Sequence, residues 1–326
     1  MINFATIGTS WIAEEFYAAS QGTELVLAGV CSRNAQRGRD FAHKLGNPDI
    51  AVYTSAEDLA QDENIRAVYV ASPNSCHASQ CETLLQHGKH VLCEKPITVT
   101  PQELKHLQAL AKQQGLIFME AIMYLHTPAR QAVKQALPAL GNITTAHFDF
   151  SQRSSRYDAL LAGELPNIFN PALAAGAFND LGIYCVYPAL DFFGQPEHIS
   201  AAMHMLHTGA DGSGTAMLTY PDKLVTLTWS KLGQSRGVSQ IMGNAGTLTI
   251  QSISQFQGIM LGEQSLAQPL QKHEVMRYEA QAFCDYILGR TSRVSYKEAS
   301  TLALQASEFM QQVRELHANI PQSNTR

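Results

Sequence analysis

The chain has 326 residues, of which 45% are hydrophobic and 16% charged, and a formal net charge of -5. That length accommodates two domains. The mild acidic balance gives no footprint for nucleic acid or an anionic membrane, and no apolar run is long enough to span a bilayer. In chain order, the first part alternates apolar strand-like and helix-like segments. Strands are predicted over 4–7, 25–31, 67–71, 90–93 and 116–119. Helices are predicted over 12–19, 37–45, from 56, over 78–86 with Gly88 at its end, and over 101–114 with Pro101 at its start. Apolar strands alternating with helices imply a parallel sheet covered on both faces, a doubly wound α/β domain.

After about residue 124 the pattern changes. Alternating segments at 144–150, 199–206, 214–220, 224–230 and 247–250 are separated by short polar connections such as Gly209-Ala210-Asp211-Gly212. These predict a mostly antiparallel open sheet with helices on one face, an α+β domain. Helices are expected over 129–137 and 182–193, and two more, 278–288 and 297–317, close the chain. The polar tail after Pro321 is expected to fray. Cys31, Cys76, Cys81, Cys93, Cys185 and Cys284 form no C-x-x-C pair, which argues against a zinc ribbon or redox pair. No metal ligand set is assigned. Met1 leads straight into a strand, so no secretory leader is expected. With thiols scattered among apolar residues, this points to the cytoplasm.

Between the first strand and first helix lies Gly8-Thr9-Ser10-Trp11-Ile12-Ala13, a G-x-S-x-x-A form of the dinucleotide fingerprint. Gly8 would make the tight turn and Ala13 would let helix and strand pack closely. The N–H groups at the helix start would hold a pyrophosphate. Ser10 stands where a second glycine is usual, and its hydroxyl either crowds the phosphates or donates to them. The second strand ends in Cys31-Ser32-Arg33, without the acid that binds a ribose 2′-hydroxyl. Arg33, with Ser32 and Arg37, suits a 2′-phosphate instead. NADP(H) is therefore favoured, with NAD(H) as the alternative.

Cys93-Glu94-Lys95-Pro96 follows a predicted strand. Proline holds the preceding lysine out of the helical region, which fixes its direction. At the carboxyl end of a parallel sheet it faces the ligand crevice. With the Gly8 loop, Ala71-Ser72-Pro73-Asn74 and His77, Met119-Glu120-Ala121 with Tyr124 and Pro128, and Asp180-Leu181-Gly182-Ile183-Tyr184, the chain resembles the Gfo/Idh/MocA oxidoreductases along nearly its whole length. The family is named for glucose-fructose oxidoreductase and inositol dehydrogenase. Where its sugar dehydrogenases carry Asp-x-x-x-His, this chain has Asp180 and Tyr184, as in the dimeric dihydrodiol dehydrogenase branch.

The resemblance implies a Rossmann dinucleotide-binding domain over 1–123 and a substrate-binding and oligomerisation domain over 124–326. It places Lys95 at the nicotinamide, with Glu94 at the nicotinamide ribose and Ser72, Pro73, Asn74 and His77 along the cofactor cleft. Asp180 and Tyr184, four residues apart on one helix face, join Lys95 as catalytic candidates. An adjacent ammonium would favour the tyrosinate, so Lys95 either tunes Tyr184 or relays the proton itself. Arg153, Arg156 and Tyr157 are candidate substrate contacts, and Asn167 and Asn170 weaker ones. The implied reaction moves a hydride between the nicotinamide and a small sugar, polyol, diol or dicarbonyl. An NAD-dependent glycosidase and a non-catalytic cofactor sensor are the rival readings. The resemblance also implies a homodimer or homotetramer through the second sheet, for which Leu218, Tyr220, Leu227 and Trp229 are expected to supply an apolar face.

Overall fold

The computed structural model describes residues 1–319; the tail after Pro321, expected to fray, lies outside the described residues. The first series runs β1 (Ile2–Ile7), α1 (Trp11–Ser20), β2 (Leu25–Cys31), α2 (Ala35–Lys44), β3 (Ala51–Tyr53), α3 (Ala56–Gln61), β4 (Ala67–Val70), α4 (His77–Gln86), β5 (His90–Glu94), α5 (Pro101–Gln114) and β6 (Phe118–Ala121). Then follow α6 (Pro128–Ala136), β7 (Ile143–Ser151), α7 (Tyr157–Leu161), α8 (Ile183–Phe193) and β8 (His198–Met205). The rest is β9 (Asp211–Thr219), β10 (Leu224–Ser230), β11 (Ser239–Gly243), β12 (Gly246–Ser252), β13 (Gln257–Leu261), β14 (Gln264–Ser265), α9 (Lys272–Ile287) and α10 (Tyr296–Ala318). Among the described residues no helix is long and apolar enough to cross a membrane.

The first sheet is parallel with order β3-β2-β1-β4-β5-β6. The order reverses between β1 and β4, and the crevice beyond the carboxyl ends of those strands is where such sheets bind ligands. Every residue of β4 is buried, as expected of a strand covered on both faces. Helix α5 shows how local sequence fixes an element. Thr100 Oγ1 accepts from the Glu103 N–H, the Glu103 carboxylate accepts from the Thr100 N–H, and Pro101 opens the helix. Gly115, at φ +66°, closes it.

The chain forms two compact units, Met1–Thr127 with Leu270–Leu304, and Pro128–Pro269 with the chain from Gln305. A single cut after residue 123 does not describe this, because α9 returns to the first unit. It lies along α1 and buries Val275, Met276, Ala280 and Phe283. It also starts six residues before the expected 278, where the Glu274 carboxylate accepts from the Gln271 N–H at 2.7 Å and supplies a local start signal.

The second unit holds an eight-stranded sheet of order β14-β13-β12-β11-β7-β10-β9-β8, antiparallel except for the β7–β10 pair. One face lies under α8. Leu218, Tyr220, Leu227 and Trp229 are on that buried face, which corrects their expected place on an outer, intersubunit surface. With a side-chain period of two, the opposite face of β9 and β10 presents their neighbours, among them Met217 and Leu224.

Candidate active site

Gly8 ends β1 with φ +108°, and a Cβ there would stand 2.6 Å from the Ala71 carbonyl oxygen. Both strand ends are tied in, the Gly8 N–H to Cys31 O at 3.0 Å and the Ala71 N–H to Ile7 O at 2.8 Å. Ser10 is the N-cap of α1, yet its side chain makes no cap hydrogen bond. A turn pressed flat against the next strand, beside a helix start left uncapped by its own side chain, fits a pyrophosphate. Gly8→Ala is expected to cost about 1–3 kcal/mol in strain, read as a lower denaturation midpoint. An unchanged midpoint would show that the turn has room for a Cβ.

Arg33 is exposed just beyond β2, and Arg37 lies in the first turn of α2, where its N–H donates to the Asn34 cap at 3.0 Å. No acid stands between the end of β2 and the start of α2.

The Lys95–Pro96 peptide is cis, and the turn around it is held on several sides. The Ile97 N–H donates to Glu120 at 2.8 Å, and the Lys95 N–H to Glu94 at 3.2 Å. Tyr69 donates its hydroxyl to Glu94 at 2.5 Å, and its ring stacks on Phe16 at 3.9 Å. Burial pushes the Glu94 carboxyl above the usual carboxylate range, against the pull of Lys95 and the Tyr69 hydroxyl. His77 is fully buried, with Nδ1 2.9 Å from Pro96 O and Nε2 2.9 Å from Ser72 O. Burial lowers its pKa while the two carbonyls oppose the shift. With no exposed surface and both nitrogens engaged, His77 braces the 72–74 loop against the Glu-Lys-Pro turn; this corrects its expected place as a direct cofactor contact. Ser72 Oγ donates to Gln80 at 2.6 Å, and Asn74 opens a short 3₁₀ turn after Pro73.

In the second unit, Asp180 sits in a single π-helical turn, Phe178–Gly182, that runs directly into α8. Such turns are frequent at functional sites. The wider winding means that Asp180 and Tyr184 are not related by the α-helical spacing expected of them. Asp180 is ion-paired with Lys231, whose side chain is only 3% exposed. The Tyr184 ring packs edge-on to Phe150 at 5.5 Å. Asp211 supports this turn from below: one oxygen accepts from the Phe178 N–H at 2.8 Å and from Trp229 Nε1 at 3.0 Å. Gly182 is required there, since a Cβ would run into the Phe178 ring and come 3.3 Å from Trp229.

The other expected substrate contacts are less enclosed. Arg153 is exposed, forks onto Asp158 at 2.6 and 3.2 Å and lies over the Tyr157 ring at 5.4 Å. Arg156 is also exposed, and Tyr157 leans on Phe169. Asn167 is exposed, and Asn170 caps a short turn by accepting from the Ala172 N–H at 3.0 Å. The N–H of Ser154 is bound to Lys231 O at 2.8 Å, so the 152–154 segment and Lys231 are fixed together.

Two family profiles match in tandem, "Oxidoreductase family, NAD-binding Rossmann fold" over residues 2–122 and "GFO/IDH/MocA C-terminal domain" over residues 129–249. The chain belongs to the Gfo/Idh/MocA oxidoreductase family. Among its relatives is the scyllo-inositol 2-dehydrogenase (NADP(+)) IolU of Bacillus subtilis, 37% identical over 78% of this chain and 77% of that protein. The trans-1,2-dihydrobenzene-1,2-diol dehydrogenase of Macaca fascicularis is 31% identical over 75% of this chain and 73% of that protein. In fold the chain is similar to KijD10, a 3-ketoreductase from Actinomadura kijaniata solved with NADP and TDP-benzene. That likeness has a TM-score of 0.81 at 23% identity and covers 96% of this chain and 97% of that one.

For a member of this family, sequence reasoning missed Lys231 and Asp211. Both pair with residues more than thirty positions away along the chain, so no local spacing announces them. A lysine directly after an alternating apolar strand was the one available sign of Lys231.

Proposed function

We propose that the chain is an NADP(H)-dependent dehydrogenase or reductase of small polyol, sugar, diol or dicarbonyl substrates, with NAD(H) as the weaker cofactor. The observation that carries this reading is the Glu-Lys-Pro turn at the carboxyl end of β5, fixed by His77, Glu120 and Glu94. A lysine so anchored presents an ammonium beside the nucleotide crevice of its own unit. When bound, the nicotinamide supplies or accepts the hydride. Gly8, Thr9, Ser10, Trp11 and Ile12 hold the pyrophosphate, with Ser72, Pro73 and Asn74 along the cleft and Glu94 at the ribose. Lys95 and Tyr184 carry the proton of the substrate oxygen. Asp180, ion-paired with Lys231, accepts a hydrogen bond from a substrate hydroxyl, and Arg153, Arg156 and Tyr157 frame the substrate's far side. The relatives acting on inositol and dihydrodiol support the substrate class.

Arg33, Ser32 and Arg37 choose the cofactor. Arg33→Gln is expected to weaken NADPH binding about 10–100-fold, the worth of a charge-assisted contact, and to leave NADH binding unchanged. Calorimetric titration of both dinucleotides checks this; equal losses for the two would remove Arg33 from the 2′-phosphate site. A cytoplasmic homodimer or homotetramer through the second sheet is part of the same reading, supported by the half-exposed Met217 and Leu224 on its open face.

A further inference from the structure

Lys272 lies outside the Gly8 loop, the Glu-Lys-Pro turn and every other family motif of the chain. It opens α9, and its Nζ lies 4.1 Å from the centroid of the Trp11 indole. Trp11 is the first residue of α1, beside the Gly8 turn, and is 60% exposed. Among the described residues the Lys272 ammonium donates no hydrogen bond and forms no ion pair; its direct contact is the indole face. Burial lowers its pKa. The Glu94, Glu15 and Glu279 carboxylates oppose that shift, and Lys95 reinforces it.

Glu279 follows seven residues later on the same helix face. It is fully buried, and neither carboxyl oxygen has a hydrogen-bond partner among the described residues. Burial and the Glu94 charge push this carboxyl well above the usual range, while Lys272 pulls the other way. The first unit thus holds a half-buried, unpaired cation against the first residue of α1, with an unsatisfied buried acid behind it. A diphosphate entering at this helix start meets only about half an elementary charge, with Glu15 and Glu94 nearby. A cation beside the helix start adds to the attraction of its N–H groups.

We propose that Lys272 is a further cofactor-binding residue: its ammonium, seated on Trp11, binds the diphosphate of the dinucleotide. This rests on the dinucleotide reading of the Gly8 turn. The amine is the only new donor required, and α9 supplies it from a point in the chain remote from every fingerprint residue.

The test is calorimetry on the full chain with two probes, NADPH and adenosine 2′-monophosphate, the second lacking a diphosphate. Lys272→Gln is expected to weaken NADPH binding about 10–100-fold and to leave the monophosphate affinity unchanged. Lys272→Arg is expected to stay within a few-fold of wild type for both. Unchanged NADPH affinity in Lys272→Gln would overturn the proposal. So would an equal loss for both probes, which would mark general damage to the unit. A wild-type protein that fails to bind NADPH would instead fail the parent reading of the Gly8 turn.

Discussion

Lys95→Met is expected to lower kcat by about 10²–10⁴-fold, the usual worth of a positioned proton donor or acceptor, with NADPH affinity held within a few-fold. The fold gives a reason for so selective an effect. The turn carrying Lys95 is fastened through its neighbours: Glu120 receives the Ile97 N–H, His77 reaches the Pro96 carbonyl, and Glu94 receives the Lys95 backbone N–H. None of these bonds uses the lysine side chain, so they still hold the turn when methionine removes the ammonium. Single-turnover kinetics alongside calorimetry separates the two quantities. A loss smaller than tenfold would take Lys95 out of the proton path. Equal losses in affinity and kcat would make it a binding group.

The largest effect on stability is expected at Trp229→Ala, about 3–5 kcal/mol for emptying a buried aromatic site. Trp229 is fully buried and packs against Phe178 at 4.4 Å. Its indole N–H is also one of the groups that hold Asp211. Burial pushes the Asp211 carboxyl up, and the hydrogen bonds from Trp229 and the Phe178 N–H counter the shift. Trp229→Phe keeps most of the packing but removes a donor from a buried carboxyl, a loss of about 1–3 kcal/mol. Denaturant titration followed by circular dichroism measures both. Because the chain has two units, the transition assigned to the second is the one to compare. A loss below about 1 kcal/mol for Trp229→Ala, well under the range for such a site, would show that the π turn bearing Asp180 does not depend on this ring.

Much of the architecture was legible because parallel strands buried on both faces write themselves as unbroken apolar runs. The bounds 25–31, 101–114 and 224–230 coincide with β2, α5 and β10. The missed strands lack that signature. β3 has three residues, none buried, and β11 and β13 mix Gly and Gln into their alternation. Their place is set by pairing with stronger neighbours. The return of α9 to the first unit is likewise a tertiary fact, settled by which helix its apolar stripe meets. At the candidate site, Gly8, Lys95 and Asp180 stand out in the sequence because each belongs to a short motif. His77 shows the limit: its ring bridges carbonyls five and nineteen residues away, and nothing local distinguishes that brace from a cleft-lining histidine. Leu218 and Trp229 show another limit. Alternation reveals that a strand has two faces, but the side covered by α8 is decided by packing.

The decisive measurement is transfer of deuterium from NADPH labelled at the nicotinamide C4 to a carbonyl analogue of a cyclic polyol, read by mass spectrometry of the product. The expected result is one deuterium on the new carbinol carbon, lost in Lys95→Met while labelled NADPH still binds. Tight NADPH binding with no label reaching any sugar, inositol, diol or dicarbonyl would contradict hydride transfer with Lys95 in the proton path. Release of free sugar from a glycoside, with no net change in the cofactor, would replace it with transient oxidation in the service of hydrolysis.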